Sequence, residues 1–137
     1  MGGQAVKAIP DTNLLVRMAI RDDPVQERKA TAALSKADSI AISLPTLCEF
    51  CWVLSRGYRK TAAQVAVAVR ALTAVKGVQA DLPAVEAGLV FLDEGGDFAD
   101  GVIAYEGRRL GGETFITFDR QAATLTKRQG NLATLLS

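Results

Sequence analysis

Five acidic side chains stand where a carboxylate either does chemistry or caps a helix: Asp11, Glu49, Asp97, Asp100 and Asp119. Glu49 is a lone charge in the apolar run Leu44-Pro45-Thr46-Leu47-Cys48-Glu49-Phe50. Asp97 and Asp100 are spaced i, i+3 and therefore share one face of a helix. Asp11 and Asp119 each close a short apolar run. Carboxylates that converge from separate segments hold a hard divalent cation, because Mg²⁺ takes oxygen ligands in near-octahedral array and keeps some of its waters. Taken singly, each acid has a plainer role. Glu49 suits the positive end of a helix dipole, and Asp11, Asp97 and Asp119 suit N-caps. The chain contains no histidine, which excludes Ser-His-Asp and Cys-His nucleophilic catalysis, most catalytic zinc sites and imidazole acid–base work.

The elements that must position these acids alternate along the chain. Val6–Pro10 reads as a strand that meets Asp-Thr-Asn at a helix start, with a short helix continuing over Leu14–Ile20. Pro10 has no N–H to give to a sheet. Arg21-Asp22-Asp23-Pro24 is a turn whose proline opens a helix running to about Lys36. Ser39–Ser43 is a strand, and Pro45 opens a helix to about Ser55. Beyond the basic connection Arg56-Gly57-Tyr58-Arg59-Lys60, Thr61 caps an Ala/Val-rich helix to about Val75. Val78–Leu82 reads as a strand and Pro83 opens a helix to Leu92. Asp97 caps a helix to Leu110, Thr114–Phe118 is a strand, a helix follows Asp119 to about Arg128, and Leu132–Leu136 is a last strand. Alternation of this kind predicts an α/β fold in three α/β/α layers, with a central, mainly parallel sheet and ligands at the carboxyl ends of its strands. Residues 1–137 are expected to form one domain.

The acidic blocks, taken together, carry a resemblance. Ile9-Pro10-Asp11-Thr12-Asn13-Leu14-Leu15-Val16, Glu49 in its Pro45-led helix, Asp97-Phe98-Ala99-Asp100 and Thr117-Phe118-Asp119 resemble the four acidic blocks of a PIN domain. Arg21-Asp22-Asp23-Pro24 and Trp52-Val53-Leu54-Ser55-Arg56-Gly57-Tyr58 further resemble VapC-type toxins of bacterial toxin–antitoxin pairs. The resemblance covers nearly the whole chain and implies a Mg²⁺- or Mn²⁺-dependent endoribonuclease. Asp11, Glu49, Asp100 and Asp119 would be the metal-binding, catalytic acids, with Asn13 and Thr117 as supporting polar groups. Of the Asp97/Asp100 pair Asp100 is preferred, since the small-residue helix Gly101-Val102-Ile103-Ala104 follows it, and Asp97 is left as a cap beside the site. Hydrolysis by a metal-activated water needs no histidine, in keeping with the composition. The family also implies an RNA substrate, a cognate VapB-type antitoxin and a homodimer.

The remaining features read more plainly. The chain is nearly neutral overall, at +1, but its charges are segregated. From Phe50 to Ala80 they are all basic (Arg56, Arg59, Lys60, Arg70, Lys76), and from Asp81 to Asp100 all acidic, a hint of an anionic ligand beside a cation site. Arg56, Arg59 and Lys60 read as a solvated turn, with RNA phosphate contact as the functional alternative. Cys48 and Cys51 read as buried packing and not as zinc or redox chemistry. Phe50 and Trp52 read as core. The Ala/Val helix carries more apolar face than one core contact uses, enough for a partner's helix. The longest charge-free stretch is the ten residues Ser39–Cys48, against about 20 for a membrane span, so a soluble cytoplasmic protein is expected. A haloacid-dehalogenase-type phosphotransferase would need a second Asp where Asn13 stands, and a receiver domain would need a phosphoacceptor Asp and a late Lys that Asp81 and Asp119-Arg120 do not supply. A degenerate PIN fold that binds RNA or protein without cleaving it, or a housekeeping PIN nuclease, are the nearer alternatives.

Overall fold

A computed structural model describes residues 5–137. Five parallel strands and seven α-helices alternate: β1 (Lys7–Ala8), α1 (Thr12–Ile20), α2 (Pro24–Ser35), β2 (Ser39–Ala41), α3 (Leu44–Trp52), α4 (Ala62–Thr73), β3 (Val78–Gln79), α5 (Leu82–Asp93), α6 (Phe98–Arg109), β4 (Thr114–Thr117), α7 (Arg120–Arg128) and β5 (Leu132–Leu135). The helix starts follow local chemistry. Asp23, Ser43, Asp81, Asp97 and Asp119 each accept an N–H of the first turn, and Thr61 with Gln64 forms a reciprocal capping box. Pro24, Pro45 and Pro83 occupy first-turn positions, where a missing N–H costs nothing.

The parallel α/β architecture expected from the sequence is present, with the strands in two ladders. β2 lies between β1 and β3, Ile40 pairing with Ala8 on one side and Val78 on the other. β4 and β5 pair separately, in register from Thr114↔Leu132 to Thr117↔Leu135. β1 is therefore an edge strand of two residues. It stops short of Pro10, which offers no N–H to extend a ladder, and Ile9 is left 83% exposed.

Leu15, Val16, Ile40, Leu47, Phe50, Leu54, Val69, Leu89 and Phe98 belong to one continuous core between the first ladder and its helices. Phe91, Ala122 and Leu125 form a second cluster, against which Phe115 packs, and this joins the β4–β5 unit to α5. A π-helical stretch, Val53–Gly57, continues α3 and delivers Tyr58 to α1. There the Arg17 guanidinium donates to the Tyr58 hydroxyl at 2.5 Å and to Asp22 at 2.9 Å, linking α1, the turn after it and the end of the π stretch.

The contact that matters most for the acids is between α5 and α6. A Cβ on Gly88 would lie 2.5 Å from the Phe98 ring, and one on Gly101 would collide with the Ala87 carbonyl. Two glycines thus let the first turn of α6 press onto α5, with Phe98 fully buried. Gly101→Ala is expected to destabilise the fold by about 1–3 kcal/mol through overpacking. Gly107→Ala, on the same helix with open space where its Cβ would go, should be neutral or stabilising by about 0.4–1 kcal/mol. Chemical denaturation of the two variants beside the parent measures the difference.

Candidate active site

The first turn of α6, the end of β4 and the start of α7 bring three acids into one electrostatic field. Asp97 is the N-cap of α6, its Oδ1 accepting the Ala99 N–H at 3.1 Å. Asp100 lies a turn further on, half-buried. Asp119 is the N-cap of α7 and accepts the Ala122 N–H at 3.0 Å. The Asp119 N–H is itself held by Thr117 Oγ1 at 2.9 Å, so Thr117 fixes the backbone of the acid two residues on. Gln121 donates to the Gly95 carbonyl at 2.9 Å and ties α7 to the turn that precedes α6. Gly95 turns the chain there with φ of 83°, a conformation that suits glycine.

Burial pushes the Asp100 carboxyl up to about 6, helped by the negative charges of Asp97 and then Asp119. The Cys48 thiol is raised by burial and, after it, by Asp97. The Cys51 thiol is raised by burial, by Cys48 and by Asp97. Raised thiols are poor nucleophiles and poor metal ligands, and Cys51 is buried in the core, as the packing reading has it.

Asp97 and Asp119 open onto a cleft of about 390 Å³ that is also lined by Trp52, Ser55, Arg56, Gly95, Gly96 and Gln121. Of the basic turn only Arg56 reaches this cleft. Lys60 faces a different groove, and Arg59 is held in the left-handed region at φ of 56°. Trp52 departs from the core expectation. Phe50 and Leu54 are buried on the inner side of the helix, while Trp52 is 63% exposed at the cleft.

Asp11 and Glu49 do not join this group. Asp11 caps α1 through the Leu14 N–H at 2.9 Å and lines a separate cavity with Asn13, Arg17, Gln26 and Lys29. β4, which leads to Asp119, forms no ladder with β1, which leads to Asp11. Glu49 is exposed on α3 and lines neither cavity. Among the described residues no three His, Cys, Asp or Glu side chains are gathered closely enough to hold a metal ion. The donors available are nonetheless carboxylate oxygens, the ligand type a hard divalent cation takes. Burial holds a proton on Asp100 up to about pH 6 and the charges of Asp97 and Asp119 add to it, and a cation would offset that repulsion.

Parallel strands whose carboxyl ends lead into helices capped by Asp11 and Asp119 define an α/β protein. The PIN domain family matches residues 8–127, and the chain belongs to it. PIN domains have a nuclease-like fold and are in general metal-dependent nucleases, which places the chain coarsely among hydrolases. No curated protein matches the chain. No helix among the described residues is long and apolar enough to cross a membrane.

The Asp100 environment has a consequence for stability. Its carboxyl binds a proton more tightly in the folded chain, near pH 6, than in the unfolded one, near 3.8. Between those values the folded state holds more protons, so Asp100 lowers stability as pH rises through that window. Without added divalent metal, Asp100→Asn should therefore gain stability relative to the parent from about pH 4 to pH 6, with little difference below. Melting temperatures of the two proteins across pH 3.5–7 check this.

Proposed function

We propose that the chain is a metal-dependent endoribonuclease of the VapC type, the toxin of a toxin–antitoxin pair. The observation that carries the reading is the gathering of Asp97 and Asp100 at the start of α6 with Asp119 beyond the end of β4, in a PIN-family chain with no histidine to do the chemistry otherwise. Asp11, Glu49, Asp100 and Asp119 are proposed to hold Mg²⁺ or Mn²⁺, with Asn13 and Thr117 in support and Asp97 as the cap that seats Asp100. Held by these acids, such a cation would supply Lewis-acid activation of water and charge neutralisation at the phosphate. The chain supplies the rest. Thr117 orients the backbone at Asp119, Asp97 caps α6 so that Asp100 faces the same region, and Arg56 offers a cation to a neighbouring phosphate.

Two surfaces support the partners of this reading. Leu15, Met18, Ile20, Val67, Leu72 and Val75 line an apolar groove of about 520 Å³, with Val67 68% exposed, which suits an amphipathic helix of a VapB-type antitoxin. Ile116, Phe118 and Leu132 leave apolar surface on the β4–β5 unit, which suits a second copy in a homodimer. A cytoplasmic location goes with the RNA substrate.

Asp11→Asn, Glu49→Gln, Asp100→Asn and Asp119→Asn should each abolish RNA cleavage with the fold intact. Asp97→Asn, which keeps a capping side chain, should be far milder. Cleavage of a single-stranded RNA by the purified variants, followed on gels with Mg²⁺ or Mn²⁺ and with excess EDTA, tests the assignment. Cleavage undiminished in EDTA, or loss in the Asp97 variant with full activity in the Asp100 variant, contradicts it.

The cleft also sorts the basic turn. Each phosphate contact contributes about 0.7 to the log–log salt slope of single-strand binding. Arg56→Ala should flatten that slope by about this amount, whereas Arg59→Ala should leave it unchanged. RNA affinity measured against salt for both variants separates the two residues.

A further inference from the structure

Trp52 is the chain's one tryptophan, and it stands out of the core on the helix that also buries Phe50, Cys51 and Leu54. An indole left 63% exposed gives up much of the hydrophobic gain that burial would bring. Its surroundings are ordered by charge. Arg56, four residues on along the π-helical continuation of α3, lines the same cleft, and no acid among the described residues forms an ion pair with it. Asp97, Asp119 and Gln121 line the same cleft. The cleft thus holds an exposed aromatic side chain, a guanidinium without an ion pair among the described residues, and two carboxylates.

We propose that Trp52 is a stacking platform for an unpaired base of the RNA, set beside the bond to be cut and with Arg56 taking an adjacent phosphate. The proposal rests on the nuclease reading above and adds to it the site that holds the substrate's base. A single-stranded nucleotide offers a π-face and a phosphate charge, and those are what Trp52 and Arg56 receive. A base already stacked and paired in a duplex offers neither face freely, so the cleft selects single-stranded RNA. Stacking accepts every base, so Trp52 contributes affinity and strandedness more than sequence choice. Trp52 is a binding residue here and makes no contribution to the hydrolytic step itself.

Because no other tryptophan is present, fluorescence excited at the red edge, where the two tyrosines do not absorb, reports on Trp52 alone. The full chain carrying Asp119→Asn, to suppress cleavage, is titrated in Mg²⁺ with a short single-stranded oligoribonucleotide, its binding followed in parallel by anisotropy of a label on the RNA. Tryptophan fluorescence should be quenched saturably, with the same midpoint as the anisotropy. A strand of the same length with abasic positions, or a fully paired duplex, should quench far less. Trp52→Ala should weaken single-strand binding roughly 5- to 150-fold, while Trp52→Phe should recover most of it. In the otherwise unmodified chain Trp52→Ala should raise KM with little change in kcat, the signature of lost uniform binding. Binding with unchanged tryptophan fluorescence, equal quenching by the abasic strand, or unaltered affinity of Trp52→Ala would overturn the platform and leave the nuclease standing. Absence of both cleavage by the parent and RNA binding by anisotropy would overturn the two together.

Discussion

The close approach of α5 and α6 is the contact on which the site depends. Gly88 and Gly101 remove the side chains that would hold the two helices apart, and Phe98 fills the space between them completely. Phe98 sits between Asp97 and Asp100, so seating its ring also sets the turn that carries both acids. The same pair of helices is joined by Gly95-Gly96, and that turn receives Gln121 from α7, the helix that Asp119 caps. Phe91 of α5 then meets Leu125 and Ala122 of α7. A small set of packing contacts around α5 thus places three acids from two separate segments, independently of any strand pairing between β1 and β4.

The electrostatics of the site are those of a region built around like charges. Burial and two neighbouring carboxylates keep Asp100 protonated up to about pH 6, so its ionised form at neutral pH stands against its surroundings. Such an arrangement costs stability, and a bound cation would offset that cost. Arg56 at the cleft is too single a charge to balance the acids and sits where a polyanion would need it. The divided charge pattern of the sequence, basic before Ala80 and acidic after it, meets in three dimensions at a cleft lined by Trp52 and Arg56 together with Asp97 and Asp119.

Much of this was legible in the chain because helix starts are written locally. Thr61, Asp97 and Asp119 signal caps and Pro24, Pro45 and Pro83 signal helix starts, and the helices begin just after those caps and at or one residue before those prolines. The run Val78–Leu82 reads as a strand but pairs only over Val78–Gln79, because Asp81 caps α5 and Leu82 is its first residue. Strands were readable as short β-branched or aromatic runs between such signals. Three features were not. Trp52 follows the exposed Glu49 by three residues and precedes Arg56 by four, so helical spacing puts it on their outward face, a signal masked because an indole in an apolar run reads as core. The π stretch Val53–Gly57 has no sequence signature of its own, yet it sets where Arg56 and Tyr58 point. That β1 and β4 form no ladder is a long-range outcome that Pro10 alone only hints at.

In the proposed reading, Asp100 in the first turn of α6 and Asp119 beyond β4 bind a divalent cation together with Asp11 and Glu49. Calorimetric titration of Mn²⁺ into the metal-free protein measures that binding without reference to any substrate. The account predicts saturable binding at one class of site, lost in Asp100→Asn and in Asp119→Asn. It also predicts weakened binding in Asp11→Asn, because Asp11, now on its own cavity, has to come to the cation for the set to be complete. No saturable binding, or binding that is indifferent to Asp100 and Asp119, would contradict it.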